Sequence, residues 1–207
     1  MEFSEEQRAF RAGIDGCGDN TVLLDSILRS RYELKKSTYI ATLDIAKAFP
    51  SVEHSSILEC SRAAGLPPSM IRYLEHYYSN GTTTLNGSDW VSPPILPTRG
   101  VKQGDPLSSV LFNIVIDHLL RSLPRECGLR FGGGIIRAMA FADDMNLIAE
   151  TPQGLQALID HSTAYLLQCG MKINQAKFHT ASNVGLGKEK KTVVDARQTF
   201  TIDGLPI

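Results

Sequence analysis

Residues 135–150, IIRAMAFADDMNLIAE, constrain the fold of this chain more than any other stretch. Two short apolar arms flank an adjacent pair of acids, Asp143 and Asp144, and three consecutive glycines at 132 to 134 precede them. Like charges side by side are destabilising unless a cation or solvent relieves them. A β-hairpin that buries its arms and carries both carboxylates at its tip is the economical solution. The segment STYIATLDI offers a second strand: Tyr39, Ala41, Leu43 and Ile45 alternate with Ile40, Thr42 and Asp44, which puts a carboxylate at the strand's end. If the two elements are neighbours in one sheet, Asp44 and Asp143 meet at its edge.

Helical patterns surround these strands. A helix is expected from about Asn20, which with Thr21 is a candidate cap, through Leu23 and Ile27. Ser51 can cap a second helix through Ile57, Leu58 and Ala64, closed by Gly65 and the pair Pro67-Pro68, and a third starts at Ser69. Residues 82 to 92 suggest a hairpin turning at Asn86-Gly87, a dipeptide suited to a type I′ turn. Asp105 as N-cap and Pro106 at the first helical position open a long apolar helix that Pro124 ends. Thr151 and Pro152 begin another, with Leu155, Leu158, Ile159 and Leu166 on its stripe, stopped by Gly170 before a strand through Met171 and Ile173. Residues 1 to 17 look like a loop or frayed edge, and 185 to 195 like an exposed charged connection. FTIDGLPI, with Asp203-Gly204 at the bend, looks like the first arm and turn of a hairpin without its return, which suggests a truncated chain.

This order of elements suits an α+β domain, and 207 residues with 43% apolar content suffice for one sizeable core. A formal net charge of −1 gives no compositional reason to expect a nucleic-acid binder, so any positive surface must be local or come from segments outside this chain. Cys17, Cys60, Cys127 and Cys169 have no metal-ligand spacing and fit reduced thiols of an intracellular protein. The five histidines also lack ligand spacing. No apolar run approaches membrane-spanning length.

Carboxylates at rigid strand ends suit hard divalent cations, and nucleotidyl transfer uses two such ions about 3.5–4 Å apart. Asp44 and Asp143 are therefore candidates to bridge a metal pair. Spacing by itself leaves a turn or capping role open for both.

Taken together, LDIAKAF, RGVKQGDPLSSVLFNIVID, FADD, GMKINQAK and QRAFRAGIDGCGDN resemble, in order and over nearly the whole chain, the reverse transcriptases of non-LTR (LINE-type) retrotransposons, most closely the R2-like branch. A group II intron-like enzyme is a weaker match around FADD and KAF. The resemblance implies a right-hand polymerase palm, an antiparallel sheet with packed helices, plus part of the fingers. Residues 1–37 would be partial fingers and 38–183 the palm, with finger elements inserted at about 65–98. Residues 184–207 would be a connection and an incomplete hairpin leading toward an absent thumb.

The implied activity is RNA-directed DNA polymerisation with two Mg²⁺ ions, Mn²⁺ being a possible substitute. Asp44 and Asp143 would be the metal-binding pair, with the Ile45 carbonyl completing a shell. Asp144 would be the second acid of the catalytic hairpin, and Lys177 a general acid near the pyrophosphate. Phe49 would lie beneath the incoming sugar and exclude a 2′-hydroxyl. Gly100, Gln103 and Gly104 would position the template base, with Gln103 also meeting the nucleotide. Implied partners are an RNA template, a DNA primer, dNTPs and the rest of a retroelement polyprotein (thumb, endonuclease and zinc modules), acting in the nucleus and without a membrane.

The chain also departs from the pattern. Pro50 stands where an aspartate is usual and biases Phe49 away from helical geometry. Ala9 replaces a glycine, Ser109 a proline and Phe141 a frequent tyrosine. The isolated chain is expected to have negligible polymerase activity. The competing reading is a truncated or domesticated, catalytically inactive nucleic-acid-binding or structural remnant.

Overall fold

The computed structural model describes residues 2–102, 104–186, 191–194 and 199–206. In chain order the elements are α1 (Gly16–Glu33), β1 (Thr38–Leu43), β2 (Ile45–Ala46), α2 (Ala48–Ser51), α3 (His54–Ala63), α4 (Pro68–Asn80), α5 (Pro106–Ser122), β3 (Leu129–Phe131), β4 (Gly134–Ile136), β5 (Ala138–Phe141), β6 (Asp144–Ala149), α6 (Pro152–Gln168), β7 (Lys172–Ile173), β8 (His179–Leu186), β9 (Lys191–Val194), β10 (Thr201–Ile202) and β11 (Leu205–Pro206). The main sheet has the order β5-β6-β1-β8-β9, and every neighbouring pair in it is antiparallel.

Both faces of this sheet are covered, which follows from the alternation in β1 and β6. Tyr39, Ala41 and Leu43, with Met145, Leu147 and Ala149, point into the large core beneath α3, α5 and α6. Ile40 and Ile148 point the other way and pack with Ile27 of α1, Leu129 and Met139. Beyond Ile40 and Ile148 that second face turns polar. Thr42 donates its hydroxyl hydrogen to Asn146 Oδ1 at 2.7 Å, and the strand ends beyond carry Asp44 and Asp144. Phe112, fully buried in α5, lies under this end of the large core. A Phe112→Ala variant is expected to lose about 3–5 kcal/mol of stability in equilibrium denaturation, the usual penalty for emptying a buried aromatic site.

The helix starts show how far local chemistry sets boundaries. Asp105 Oδ1 accepts from the Leu107 N–H at 2.9 Å, and Thr151 Oγ1 from the Gly154 N–H at 3.0 Å, at two of the starts expected from sequence. Ser51, expected to cap a helix, instead ends α2, and α3 begins at His54 after Glu53. Helix α1 begins a turn earlier than expected, inside the stretch expected to be a loop, because Asp15 caps the helix by accepting from the Gly18 N–H at 3.1 Å. The 82–97 stretch is a looser hairpin than a type I′ turn would make. Neither Asn86 nor Gly87 has positive φ, and Gly87 N–H donates to the Trp90 carbonyl at 2.8 Å.

Three further readings change. The N-terminal residues are not frayed: Glu6 and Arg8 hydrogen-bond through their backbones to Ala140, adding a short parallel bridge beside β5. Arg137 clamps Glu6 with bonds of 2.8 and 3.1 Å from Nη2. Part of the charged stretch around 185–195 belongs to the β8–β9 pair, while its residues 187–190 and 195 lie outside the described residues. The bend at Asp203-Gly204 is present, with φ of 52° and 75°, and β11 supplies a two-residue return arm to β10.

Candidate active site at the sheet edge

Strands β1 and β6 run side by side with Leu43 opposite Met145. Continuing that register by one residue sets Asp44 level with Asp144, and Asp143 sits in the turn between β5 and β6. Two carboxylates distant in sequence therefore reach one edge of the sheet. Ala142, just before the acids, is a non-glycine residue with φ of 55°. Left-handed backbone costs an alanine roughly 1–2 kcal/mol, so surrounding contacts must hold this turn.

The electrostatics separate the two acids. Asn174 donates through Nδ2 to Asp44 Oδ2 at 2.9 Å, and Lys177 donates through Nζ to Asp44 Oδ1 at 3.1 Å. These bonds hold the Asp44 carboxyl below its usual range. Asp143 is shifted the opposite way, chiefly by burial, with the charges of Asp144 and Asp44 adding to the rise and Lys177 opposing it. Asp143 thus feels Asp44, Asp144 and Lys177 together, and Asp144 is exposed.

A divalent cation fits this donor set. The acids supply hard oxygen ligands, and positive charge would offset both the burial and the neighbouring acids that raise Asp143. Lys177 already places a positive group on Asp44, but its side chain is 66% exposed, and an ion pair that open is worth only about 0–1 kcal/mol. It is easily displaced. Among the described residues no three His, Cys, Asp or Glu side chains close a metal cage by themselves. That is compatible with ions held by one or two carboxylates and completed by substrate phosphates.

Asn174 was not singled out by sequence reasoning. It also donates its backbone N–H to the Asp44 carbonyl at 2.8 Å, next to the β2–β7 pairing of Ile45 with Ile173. A polar residue directly after the short strand Lys172–Ile173 was the only available signal, and it does not specify a partner 130 residues away.

Phe49 lies in the single turn of α2, half-buried, its ring stacked on Phe112 at a centroid distance of 4.5 Å and 20° between planes. Pro50 does not expel Phe49 from helical geometry. It falls in the first turn of the helix, where its missing N–H has no intrahelical partner to lose. The 99–105 loop is laced to this segment: Val101 N–H donates to the Phe49 carbonyl at 2.9 Å and Gly100 N–H to the Val52 carbonyl at 2.7 Å. Gly100 has φ of +87°, and a Cβ there would approach the Pro50 carbonyl oxygen to 2.8 Å, so only glycine permits the approach. Gly104 is also at positive φ, whereas Gln103 lies outside the described residues. A cavity of about 390 Å³ opens beside the loop, lined by His54, Tyr77, Tyr78, Arg99, Gly100 and Lys102 among others. Ala9, at negative φ, fills a fully buried position without backbone strain.

Residues 1–201 match the reverse transcriptase (RNA-dependent DNA polymerase) family, and the chain belongs to it. Polymerases of this family generally use divalent metal ions. The chain is 44% identical, over 97% of its length, to the Pol polyprotein of the type-2 retrotransposable element R2DM of Drosophila melanogaster. It is 44% identical, over 95% of its length, to the Pol polyprotein of a type-1 retrotransposable element R2 of Nasonia vitripennis. It spans 19% of the length of each. Among solved structures it resembles apo telomerase of Candida tropicalis truncated from its C-terminal domain, with a TM-score of 0.60 at 16% identity, covering 90% of this chain and 38% of that one. The telomerase of Candida albicans in complex with a telomeric RNA fragment gives 0.56 at 14% identity, covering 97% and 33%. At such identities the likeness concerns the fold, an α+β palm.

Proposed function

We propose that this chain is the catalytic core of an RNA-directed DNA polymerase of an R2-like non-LTR retrotransposon, adding dNTPs to a DNA primer on an RNA template. The observation that carries this is the β1–β6 register, which brings Asp44 to the same sheet edge as Asp143. Two divalent ions, Mg²⁺ with Mn²⁺ as substitute, would lower the pKa of the primer 3′-hydroxyl and neutralise the triphosphate.

Asp44 and Asp143 would hold those ions, with the Ile45 carbonyl as a further ligand, and Asp144 would stand nearer the primer end. Lys177, released from Asp44, would neutralise and protonate the departing pyrophosphate. Phe49 would support the incoming sugar and refuse a 2′-hydroxyl. Gly100, Gln103 and Gly104 would form the surface that positions the template base. By extension, 1–37 would be part of the fingers, 38–183 the palm with finger elements inserted at about 65–98, and 184–207 a connection toward a thumb. The longer polyprotein would supply thumb, endonuclease and zinc modules, and would act in the nucleus. No helix among the described residues is long and apolar enough to cross a membrane.

Primer extension tests this reading. The polyprotein that carries this chain, given an RNA template, a DNA primer and dNTPs, is expected to extend the primer, to stop when the divalent cations are chelated, and to resume when Mg²⁺ is restored. Extension that continues undiminished in excess chelator would contradict the metal role, and absence of extension under all conditions would favour an inactive remnant. The 207-residue chain alone is expected to extend negligibly, because its near-zero net charge offers little to clamp a duplex.

A further inference from the structure

The strained turn before the acids is held by a residue far away in sequence. Gln7 is fully buried, and its Oε1 accepts from the Ala142 N–H at 3.1 Å and from the Ala9 N–H at 3.1 Å. Its Nε2 donates to the Ala142 carbonyl at 3.4 Å. The amide orientation is fixed by this pattern, because a flipped amide would point its NH₂ group at two N–H donors. One side chain therefore satisfies both backbone groups of the residue whose φ is least favourable in the catalytic hairpin.

Gln7 is itself well anchored. Its neighbours Glu6 and Arg8 hydrogen-bond to Ala140 on either side of it, at 2.8 and 3.1 Å. Arg137 fixes the Glu6 carboxylate, and Asn113 of α5, also fully buried, donates to the Ala9 carbonyl at 2.8 Å. A rigid path thus runs from α5 through Ala9 and Gln7 to Ala142 and so to Asp143. Ordinary satisfaction of a buried strand edge would require the backbone bonds to Ala140 but not a side-chain clamp two residues further along.

We propose that Gln7 is a positioning residue for catalysis, fixing the left-handed Ala142 turn so that the Asp143 carboxylate is held at the Asp44 edge. This rests on the reading of Asp143 as a metal-binding acid. Gln7 touches no substrate in this scheme and acts only through the turn. Its loss should therefore lower turnover and weaken the response to metal, leaving nucleotide affinity nearly intact.

The test compares Gln7→Met, Gln7→Met/Ala142→Gly and Asp143→Asn in the full-length polyprotein. For Gln7→Met we expect kcat to fall on the order of 10²-fold, the usual consequence of an ångström-scale displacement of a reacting group. KM for dNTP should stay within about twofold while the Mg²⁺ concentration for half-maximal rate rises. Hydrogen exchange followed by mass spectrometry should quicken in the peptide spanning 141–144 and not in the β1 peptide spanning 38–43. Glycine adopts positive φ without a Cβ penalty, so Ala142→Gly should restore folding, if Gln7→Met impairs it, and about tenfold in rate.

A Gln7→Met protein with wild-type kcat would overturn the proposal. So would a double variant no faster than the single one, a double variant that does not fold, or equal loosening of both peptides, since each marks Gln7 as a general core contact. If Asp143→Asn abolishes activity while Gln7→Met does not, this inference alone fails. If Asp143→Asn keeps the wild-type rate, the underlying site assignment fails.

Discussion

Asparagine at position 143 is expected to reduce Mg²⁺-dependent primer extension by the full-length polyprotein on the order of 10³-fold or more, and asparagine at position 44 by a similar factor. A metal pair supplies several kcal/mol of transition-state stabilisation, and each factor of ten in rate corresponds to about 1.4 kcal/mol. Asparagine keeps the size of aspartate but offers a neutral oxygen, so the fold should survive while the cations lose their charged bridge. Asp143 is the more telling position. Burial and neighbouring acids already disfavour its charged form, and a bound cation would reverse that disfavour. Asp144 is exposed, and Asp144→Asn should cost less. Extension kinetics at saturating Mg²⁺ check all three, and a wild-type rate in either of the first two variants would remove that acid from the mechanism.

Phe49→Ala is expected to raise incorporation of ribonucleotides relative to deoxynucleotides on the order of 10²-fold, about the size of selection that steric pockets achieve against one added hydroxyl. The ring can exclude a hydroxyl only if it cannot move aside. Stacking on Phe112 contributes about 0.5–1.5 kcal/mol to holding it, and the Val101 N–H bond to the Phe49 carbonyl fixes the backbone beneath. Competition between each dNTP and its ribonucleotide on one template measures the ratio, and an unchanged ratio would place the sugar elsewhere. The ring's support also explains how the chain accommodates Pro50, which occupies a first-turn position with no hydrogen bond to lose.

Much of the fold was legible because short-range patterns sufficed. Alternation in 39–45 and the apolar arms around Asp143 and Asp144 specified three strands with acids at their ends, and those strands pair as neighbours, β5 with β6 and β6 with β1. Asp105 and Thr151 announced their helices through caps. What was not legible depended on partners remote in sequence. Nothing local in SEEQRAF distinguishes a frayed polar segment from one whose glutamine is buried against Ala142. Asn174 likewise has no mark of its contact with Asp44. The start of α1 was missed for a different reason: glycine's poor helix propensity was outweighed by the Asp15 cap. The meeting of Asp44 and Asp143 at one sheet edge could be proposed from the pattern, but their unequal electrostatics required burial and the position of Lys177.

The central claim is that Asp44 and Asp143 share divalent cations, and anomalous scattering from Mn²⁺ in crystals of the polyprotein with primer, template and dNTP tests it most directly. The account predicts two peaks about 3.5–4 Å apart, both contacted by these two carboxylates, with the Lys177 ammonium moved off Asp44. Manganese bound away from both acids, with Asp44 still paired to Lys177, would contradict it.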